Sequence, residues 1–416
     1  MKPEQLQQAW AAGQIVALAG PAQRDQEALA AAIGPLGLDP LQQQWGPGVV
    51  LGSGGSSGGR RWCFQPLAHL QASAAATGSW LEQLGLDPAA CLHLNSLPLH
   101  HVSGLLPWLR AQQWGAGHRR LESAWMREPA QLAVTAPSDP GRPALLSLVP
   151  TQLQRLMADP EGVAWLQRLA VIWVGGAPLS PQLAERARQV DLPLAPCYGA
   201  TETAAMVCAL SPKRFLAAAA GCGAPLADVE LRVGPDGALE VRSGRLSPGW
   251  LENGALQPLP RSAEGWWRSG DAGRMGPEGL ELLGRLDGAI HSGGETVFPE
   301  QLEAQLLALA QAAGLPLQAV LLLPVDDREW GQRLVALVRA EGVRSGEQLA
   351  WPDLQRQLQR LCEPWAPAER PMRWLRCPEL APSALGKWQR RRWRDWMDEL
   401  EADQKSRSAS ADVDSF

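Results

Sequence analysis

Short runs of apolar, β-prone residues alternate with helical or turn segments in the first half of the chain. These runs are Gly48–Leu51, Ala144–Val149, Leu169–Val174 and Leu192–Cys197. Ser180 and Pro181 mark the start of a helix that continues to Gln189, because serine caps free amides and proline suits the first helical turn. Strands that alternate with helices in this way predict an α/β fold.

The pattern changes between Val229 and Leu283, where the apolar segments become shorter and alternate with polar positions. Val229–Val233 and Ala238–Arg242 are two such segments, and the turn residues Gly234–Gly237 separate them. Alternation with a period of two, interrupted by tight turns, is typical of antiparallel strands. We therefore predict an antiparallel β region within the first domain.

A second folding unit is predicted to begin at Asp287. Its expected elements are a helix at Pro299–Ala313 that ends at Gly314, strands at Ala319–Leu323 and Leu334–Val338, and a helix at Leu349–Leu361. The prediction is thus a large α/β domain over residues 1–286 and a small, mobile α+β domain over residues 287–398. The Ser/Asp-rich residues 399–416 are expected to be disordered.

Composition narrows the class of protein. The chain has 416 residues, 45% of them hydrophobic, and a net charge of −5. A folded protein of two or three units fits these values, whereas a nucleic-acid partner calls for a concentrated basic surface. The seven cysteines include no C-x-x-C pair, which suits a reducing compartment. Since signal-peptide and membrane-spanning patterns are absent from the sequence, we expect a cytoplasmic protein without a membrane span.

A segment rich in glycine and serine, Ser53–Arg61, follows the first apolar run directly. Glycines let several backbone amides face one anion, and Ser53, Ser56, Ser57 and Arg61 add donors for phosphate oxygens. The segment is not a Walker loop, because it lacks the Gly-Lys-Ser/Thr ending. Its position after a strand favours phosphate binding over the alternative of a flexible linker.

Two further segments follow predicted strands. Tyr198–Glu202 combines an aromatic ring, a threonine hydroxyl and a carboxylate, which together suit a nucleotide and its magnesium ion. Gly175-Gly176-Ala177 would permit the close approach of a planar ligand. Ligands of open α/β sheets bind at the carboxyl ends of strands, where both segments are expected. Each segment alone is also compatible with an ordinary polar turn.

The remaining candidates are single residues. Asp271 lies between glycines and suits a ribose, while Arg285 and Asp287 stand at the predicted domain boundary. Lys387 precedes a basic helix and could neutralise charge on a phosphate or carboxylate, although a surface lysine is the alternative. His101 follows an apolar strand and could shape a substrate pocket or be a structural histidine.

In their order and spacing, these segments resemble the acyl-adenylate-forming enzymes, a family of acyl-CoA synthetases, luciferase-like enzymes and nonribosomal adenylation domains. The resemblance extends from Ser53 to Lys387. Its most specific parts are Tyr198–Glu202, Gly284–Asp287, Ser292–Glu295 and Gly386-Lys387. Within the family, Pro98–Leu105 and Ser147–Leu153 are most similar to the 2-succinylbenzoate–CoA ligases of menaquinone and phylloquinone synthesis.

The resemblance implies roles for the candidate residues. ATP would be bound by Ser53, Ser56, Ser57, Arg61, Gly175, Gly176, Ala177, Tyr198, Gly199, Thr201, Asp271, Arg285 and Lys387, with Tyr198 on the adenine and Asp271 and Arg285 on the ribose. Glu202 would bind Mg²⁺, and the catalytic residues would be Lys387, His101 and Thr201. Asp287 would be a hinge, and the Gly293–Gly294 turn would face the thiol of CoA.

The implied activity is the ATP-dependent conversion of 2-succinylbenzoate to its CoA thioester through an acyl-adenylate, with ATP, Mg²⁺ and CoA as ligands and a homodimer as a candidate assembly. Two features depart from the family pattern. Arg60-Arg61 stands where Pro-Lys is usual, and the short segment before Ser53 implies a first domain truncated at its N-terminus. The alternatives are a CoA ligase for another aryl or short acyl acid and a non-catalytic nucleotide-binding homologue.

Overall fold

The computed structural model describes residues 2–35, 37–53, 61–122, 124–135, 142–340, 350–382 and 388–413. Contacts between Cα atoms divide the chain into two compact units, Met1–Leu283 and Gly284–Phe416. The division falls close to the boundary predicted at residues 286 and 287.

Strands and helices alternate through most of the first unit. Its strands are β1 Ile15–Leu18, β2 Gly48–Ser53, β3 Arg61–Pro66, β4 Leu92–Asn95, β5 Gly117–Arg120, β6 Ala144–Leu148, β7 Val171–Val174, β8 Leu194–Ala200, β9 Ala205–Ala209, β10 Val229–Val233, β11 Ala238–Ser243, β12 Gly249–Glu252, β13 Ala255–Pro258, β14 Trp267–Gly276 and β15 Gly279–Arg285. Its helices are α1 Pro3–Ala11, α2 Gln23–Ile33, α3 Asp39–Trp45, α4 Leu67–Gln83, α5 Val102–Trp114, α6 Pro129–Thr135, α7 Pro150–Leu156, α8 Pro160–Leu166, α9 Pro181–Gln189 and α10 Pro212–Leu216.

A six-stranded sheet of order β5-β4-β6-β7-β8-β9 forms the centre of this unit. Its neighbouring strands are parallel except for the last pair, β8 and β9. One face packs against Leu153, Trp165 and Leu183 of the helices α7, α8 and α9. On the other face Trp173 packs in a cluster with Trp80 of α4. Because both faces are covered, the central strands β6 and β7 are mainly apolar, as in other parallel sheets.

The predicted α/β layering and the antiparallel region are both confirmed in the structure. Helix α9 begins at Pro181, and the Ser180 hydroxyl accepts a hydrogen bond from the Leu183 amide at 3.2 Å. Strands β10, β11, β14 and β15 form a four-stranded sheet in that order. A further five-stranded sheet has the order β1-β2-β3-β12-β13, in which β2 and β3 are antiparallel.

The second unit consists of a smaller sheet and its helices. Its elements are β16 Ile290–Ser292, β17 Glu295–Val297, α11 Pro299–Ala312, β18 Leu317–Asp327, β19 Gly331–Ala340, α12 Trp351–Leu361, β20 Arg373–Arg376 and α13 Arg390–Val413. The sheet has the order β17-β16-β19-β18, and β20 pairs with β19. Leu302 and Leu306 of α11 pack in one cluster with Val320 and Leu322 of β18. The helices and strands expected in this unit are therefore present.

The last helix corrects one prediction. Disorder was expected over residues 399–416, but α13 continues to Val413. Leucine, glutamate, alanine, glutamine and lysine occupy residues 400–405 together with one aspartate, and these are mostly strong helix formers. The helix is also fixed near its start, where Trp393 and Met397 are buried. Among the described residues, no helix is long and apolar enough to cross a bilayer.

Candidate nucleotide-binding site

Two of the predicted binding segments lie at the carboxyl ends of adjacent parallel strands. Gly175–Ala177 follows β7, and Tyr198–Glu202 covers the end of β8 and the 3₁₀ turn after it. The Gly175 amide donates to the Leu148 carbonyl at 3.2 Å. A Cβ at Gly175 would lie only 2.9 Å from the Cys197 sulfur, so the glycine permits the close approach of two strand ends. The structure thus brings these two segments together.

Tyr198 and Asp271 are in direct contact although 73 residues separate them. The Tyr198 hydroxyl donates a hydrogen bond to Asp271 Oδ2 at 2.6 Å, and the ring is buried. Burial raises the pKa of the Tyr198 phenol well above its usual value, and the negative charge of Asp271 raises it further. The phenol therefore stays protonated and remains a donor. The predicted adenine-binding and ribose-binding residues consequently form one connected pair.

The turn after Tyr198 has an unusual backbone. Ala204 and Ala205 have φ values of 52° and 79°, a region that L-residues seldom occupy. Gly199 lies at an irregularity in the β8–β9 ladder, where an added Cβ would lie 2.2 Å from the Ala205 carbonyl oxygen. Such a turn needs support from the surrounding residues.

Buried donors from distant segments supply that support. The Arg245 side chain is 1% exposed and donates to the carbonyl oxygens of Thr203 and Met206, the latter at 2.9 Å. Its Nε also contacts Asp228 Oδ2 at 2.6 Å. The Gln65 side-chain amide donates to the Thr201 carbonyl at 2.7 Å. The turn that contains Glu202 is therefore held on both sides.

The Glu202 carboxylate is directed by a tryptophan. Trp250 of β12 donates from its indole nitrogen to Glu202 Oε1 at 3.0 Å, and Glu202 is 9% exposed. The same indole makes a cation–π contact with Arg61, whose Cζ lies 4.7 Å from the ring centroid. Ser53 pairs with Arg61 across β2 and β3. Arg61, at one end of the predicted phosphate loop, and Glu202, the predicted magnesium ligand, thus both contact the Trp250 side chain. Ser56 and Ser57 lie outside the described residues.

His101 precedes helix α5, and the buried Arg110 lies within that helix. His101 is the residue before α5, it is half-buried, and its ring centroid is 4.5 Å from that of His100. Arg110 is 4% exposed and stacks on Trp173 at 5.3 Å. Its Nε has no hydrogen-bond partner among the described residues. Desolvation lowers the pKa of Arg110 to about 10, so the guanidinium remains charged at neutral pH.

The remaining predicted residues lie between the end of β15 and the start of α13. Arg285 and Asp287 form an ion pair with an N–O distance of 3.1 Å. Gly293 and Gly294 form the turn between β16 and β17, with φ values of 59° and 86°. Lys387 lies outside the described residues, but Arg390, three residues later, binds the buried Glu303 at 2.9 Å. The start of α13 is therefore tied to α11.

Comparison with known proteins shows which family the first unit resembles. Residues 66–245, which include β4 to β11 and the Tyr198–Glu202 turn, match the model of the AMP-binding enzymes. The chain is therefore similar to the AMP-binding enzymes over 180 of its 416 residues. Its mixed α/β architecture is the one found in solved members of the family.

Two curated relatives of this chain carry the same name. The 2-succinylbenzoate–CoA ligase of Salmonella typhimurium is 31% identical over 306 residues, which are 73% of this chain and 60% of the relative. The 2-succinylbenzoate–CoA ligase of Listeria monocytogenes is 30% identical over 60% of this chain and 51% of the relative. The chain thus spans about half to three fifths of the length of these relatives.

A solved structure shows the same fold. The wild-type E. coli MenE with a bound m-phenylether-linked analogue of OSB-AMS is 29% identical, with a TM-score of 0.60. The match covers 84% of this chain and 69% of that structure.

Four contact residues were not predicted from the sequence: Gln65, Arg110, Arg245 and Trp250. None lies in a glycine-rich motif, and each acts through contacts between distant segments. Arg245 lies just after β11 and Trp250 lies in β12, positions where an arginine or tryptophan is unremarkable. For Arg110 a signal was present, because it is a charged residue in the apolar run Leu105–Ala111 of a helix.

Proposed function

We propose that this protein is an ATP-dependent CoA ligase that converts 2-succinylbenzoate to 2-succinylbenzoyl-CoA through an acyl-adenylate. The observation that carries the proposal is the arrangement at the ends of β7 and β8. There the Tyr198–Asp271 pair suits a nucleoside, and the Glu202, Trp250 and Arg61 cluster suits its phosphates. The shared name of the curated relatives supports the choice of acid.

In the first step, a carboxylate oxygen of the acid attacks the α-phosphorus of ATP. The bond from that phosphorus to the bridging oxygen breaks, and its electron pair leaves with pyrophosphate. Arg61 is exposed at the end of β3 and can bind the phosphate oxygens. Lys387 would neutralise charge between the carboxylate and the α-phosphate. The residues contribute positioning and charge neutralisation, which dominate the catalysis of phosphoryl and nucleotidyl transfer.

In the second step, the CoA thiolate attacks the acyl carbon, and the C–O bond to AMP breaks. AMP leaves with the oxygen, and the thiol proton passes to solvent. We propose that the second unit turns about Asp287 between the steps, so that Lys387 leaves the site and the Gly293–Gly294 turn faces the thiol. Such domain motions allow one cleft to perform two reactions.

The residues present fit a magnesium ion that is bound together with the nucleotide. Among the described residues, no group of three or more His, Cys, Asp or Glu side chains could hold a metal alone. Mg²⁺ usually takes one or two carboxylates and completes its ligand set with substrate phosphates and water. Glu202 provides one such carboxylate, oriented by the Trp250 indole. When bound, the ion would neutralise charge on the phosphates.

Arg110 is the candidate for the second carboxylate of 2-succinylbenzoate. Arg110 Nε has no hydrogen-bond partner in the part of the chain that the structure describes, and such a buried cation is costly unless an anion joins it. Arg110 stacks on Trp173 of β7, and Cys197, the neighbour of Tyr198, lies close enough to influence the pKa of Arg110. It therefore lies close to the strand ends that form the nucleotide site, where an aryl carboxylate could reach it.

Arg110→Met should reduce kcat/KM for 2-succinylbenzoate by about 10- to 100-fold, the equivalent of a lost charged hydrogen bond of about 1.5–3 kcal/mol. Steady-state pyrophosphate release measures this value. Benzoate, which has a single carboxylate, is the matched substrate, and its slow turnover should change little. Equal losses with both acids would remove the assigned role from Arg110.

The function itself is tested by substrate-dependent pyrophosphate release. The purified protein, with ATP and Mg²⁺, is supplied with 2-succinylbenzoate, benzoate or a fatty acid, and CoA thioester is measured in parallel. We expect the highest kcat/KM with 2-succinylbenzoate. A higher kcat/KM with another acid would instead indicate a CoA ligase of different substrate specificity. ATP binding without pyrophosphate release from any acid would instead support a non-catalytic nucleotide-binding homologue.

A further inference from the structure

One side chain contacts both charged groups of the candidate phosphate site. Trp250 donates its indole hydrogen to Glu202 Oε1 at 3.0 Å, and Arg61 Cζ lies 4.7 Å from the ring centroid. The indole nitrogen can only donate, so its hydrogen bond occupies Glu202 Oε1, and Oε2 is the oxygen left for another partner. A carboxylate held in this way has a defined orientation before any cation arrives.

The strand around Trp250 is fixed by the surrounding structure. Trp250 pairs with Cys63 of β3 on one side and with Gln257 of β13 on the other. Just before the strand, the buried Ser247 donates from its hydroxyl to the Phe64 carbonyl at 2.7 Å, and its amide donates to the Glu202 carbonyl at 2.7 Å. The indole is therefore presented from a rigid position.

Stacking limits where Arg61 can point. A guanidinium over an indole face is attracted by the ring and loses rotational freedom. Arg61 is exposed and forms the first residue of β3 after the glycine-rich segment. Its five N–H donors suit phosphate oxygens, which a point-like ammonium contacts with less directionality. The ring thus holds an arginine at the position where a lysine is usual in the family.

We propose that Trp250 is a positioning residue of the magnesium–phosphate site, and this inference rests on the proposed function. Its N–H group orients Glu202 so that Oε2 is free for the cation. Its ring holds the Arg61 guanidinium beside the phosphates. Substitutions that remove only the N–H donor, or both the donor and the aromatic ring, should therefore have different effects.

Trp250→Phe and Trp250→Leu separate the two contributions. Phenylalanine keeps an aromatic ring and removes the N–H donor, whereas leucine removes both. The readout is the dissociation constant of ATP by isothermal titration calorimetry, with Mg²⁺ and with EDTA. For Trp250→Phe we expect a roughly 10-fold or larger weakening with Mg²⁺ and little change with EDTA, because loss of a partner that orients a metal ligand typically costs 10- to 100-fold in metal affinity. For Trp250→Leu the constant with EDTA should also rise, by about 2- to 5-fold.

Trp266→Phe is the matched control. Trp266 also lies under arginine side chains, those of Arg232 and Arg242, but it belongs to the region of the β10–β11 sheet. This variant should bind ATP like the wild type in both conditions. Thermal unfolding of all three variants would reveal general damage, and an equal weakening of Trp250→Phe with Mg²⁺ and EDTA would overturn the inference.

The outcomes also separate the inference from the function on which it rests. A wild type that binds Mg·ATP but releases no pyrophosphate with 2-succinylbenzoate refutes the proposed substrate, while the Trp250 comparison still decides the positioning role. A wild type whose ATP affinity is unaffected by Mg²⁺ refutes the positioning role directly. The positioning role is also refuted if the ATP affinity of Trp250→Phe depends on Mg²⁺ as strongly as that of the wild type.

Discussion

Lys387→Ala is expected to slow acyl-adenylate formation by about 10²- to 10³-fold, the usual cost of removing one group that stabilises developing charge. Thioester formation from pre-made acyl-adenylate should remain close to that of the wild type, because the proposed role of Lys387 ends with the first step. Pyrophosphate release measures the first half-reaction, and CoA thioester formation from synthetic acyl-adenylate measures the second.

Lysine is scarce in this chain, which makes the control simple. Only Lys2, Lys213, Lys387 and Lys405 are present. Lys213 is exposed on α10 of the first unit, so Lys213→Ala should leave both half-reactions unchanged. Lys387→Arg should not restore the first step, because a planar guanidinium does not replace a compact ammonium. Equal losses in both half-reactions would exclude the adenylation role of Lys387.

The fold was largely predictable because its strands carry strong local patterns. The parallel strands β6, β7 and β8 are buried on both faces, and the sequence there is a run of apolar residues bounded by turns. The same reasoning failed for α13, where Ser and Asp residues suggested disorder although helix formers were also abundant. Local composition does not show whether Trp393 and Met397 will find a core that anchors the helix.

The candidate site was predictable only in part. Tyr198 and Glu202 stand directly after a buried strand, so their position alone suggests a ligand site. Their partners, Asp271 and Trp250, are 73 and 48 residues away, and no local pattern specifies such contacts. Asp271 lies in the segment Ser269–Gly273 with a glycine on each side of it, whereas Trp250 follows a single glycine and belongs to no recognised motif. Residues that support a site from distant strands become visible only when the chain is folded.

Arg245→Met should be the most destabilising substitution considered, by about 3–5 kcal/mol, the typical cost of breaking a buried charged network on one side. Methionine fills similar space but leaves the Thr203 and Met206 carbonyls without their donor, and each buried unsatisfied group costs about 1–3 kcal/mol. The loss is concentrated at Ala204 and Ala205, whose positive φ values already make the turn costly. Urea unfolding followed by circular dichroism measures the change.

Arg242→Met is the matched control, since Arg242 lies three residues earlier and makes its ion pair with Glu230 at the surface. Exposed pairs contribute little, so its unfolding midpoint should stay near that of the wild type. If the Arg245 variant unfolds at the same urea concentration as the control, the turn does not depend on the guanidinium. If instead it is destabilised and the residual folded protein also binds Mg·ATP weakly, the support of the turn extends to the orientation of Glu202. In that case the strained backbone at Ala204 and Ala205 serves to orient the Glu202 carboxylate, and Arg245 is the residue that stabilises this backbone.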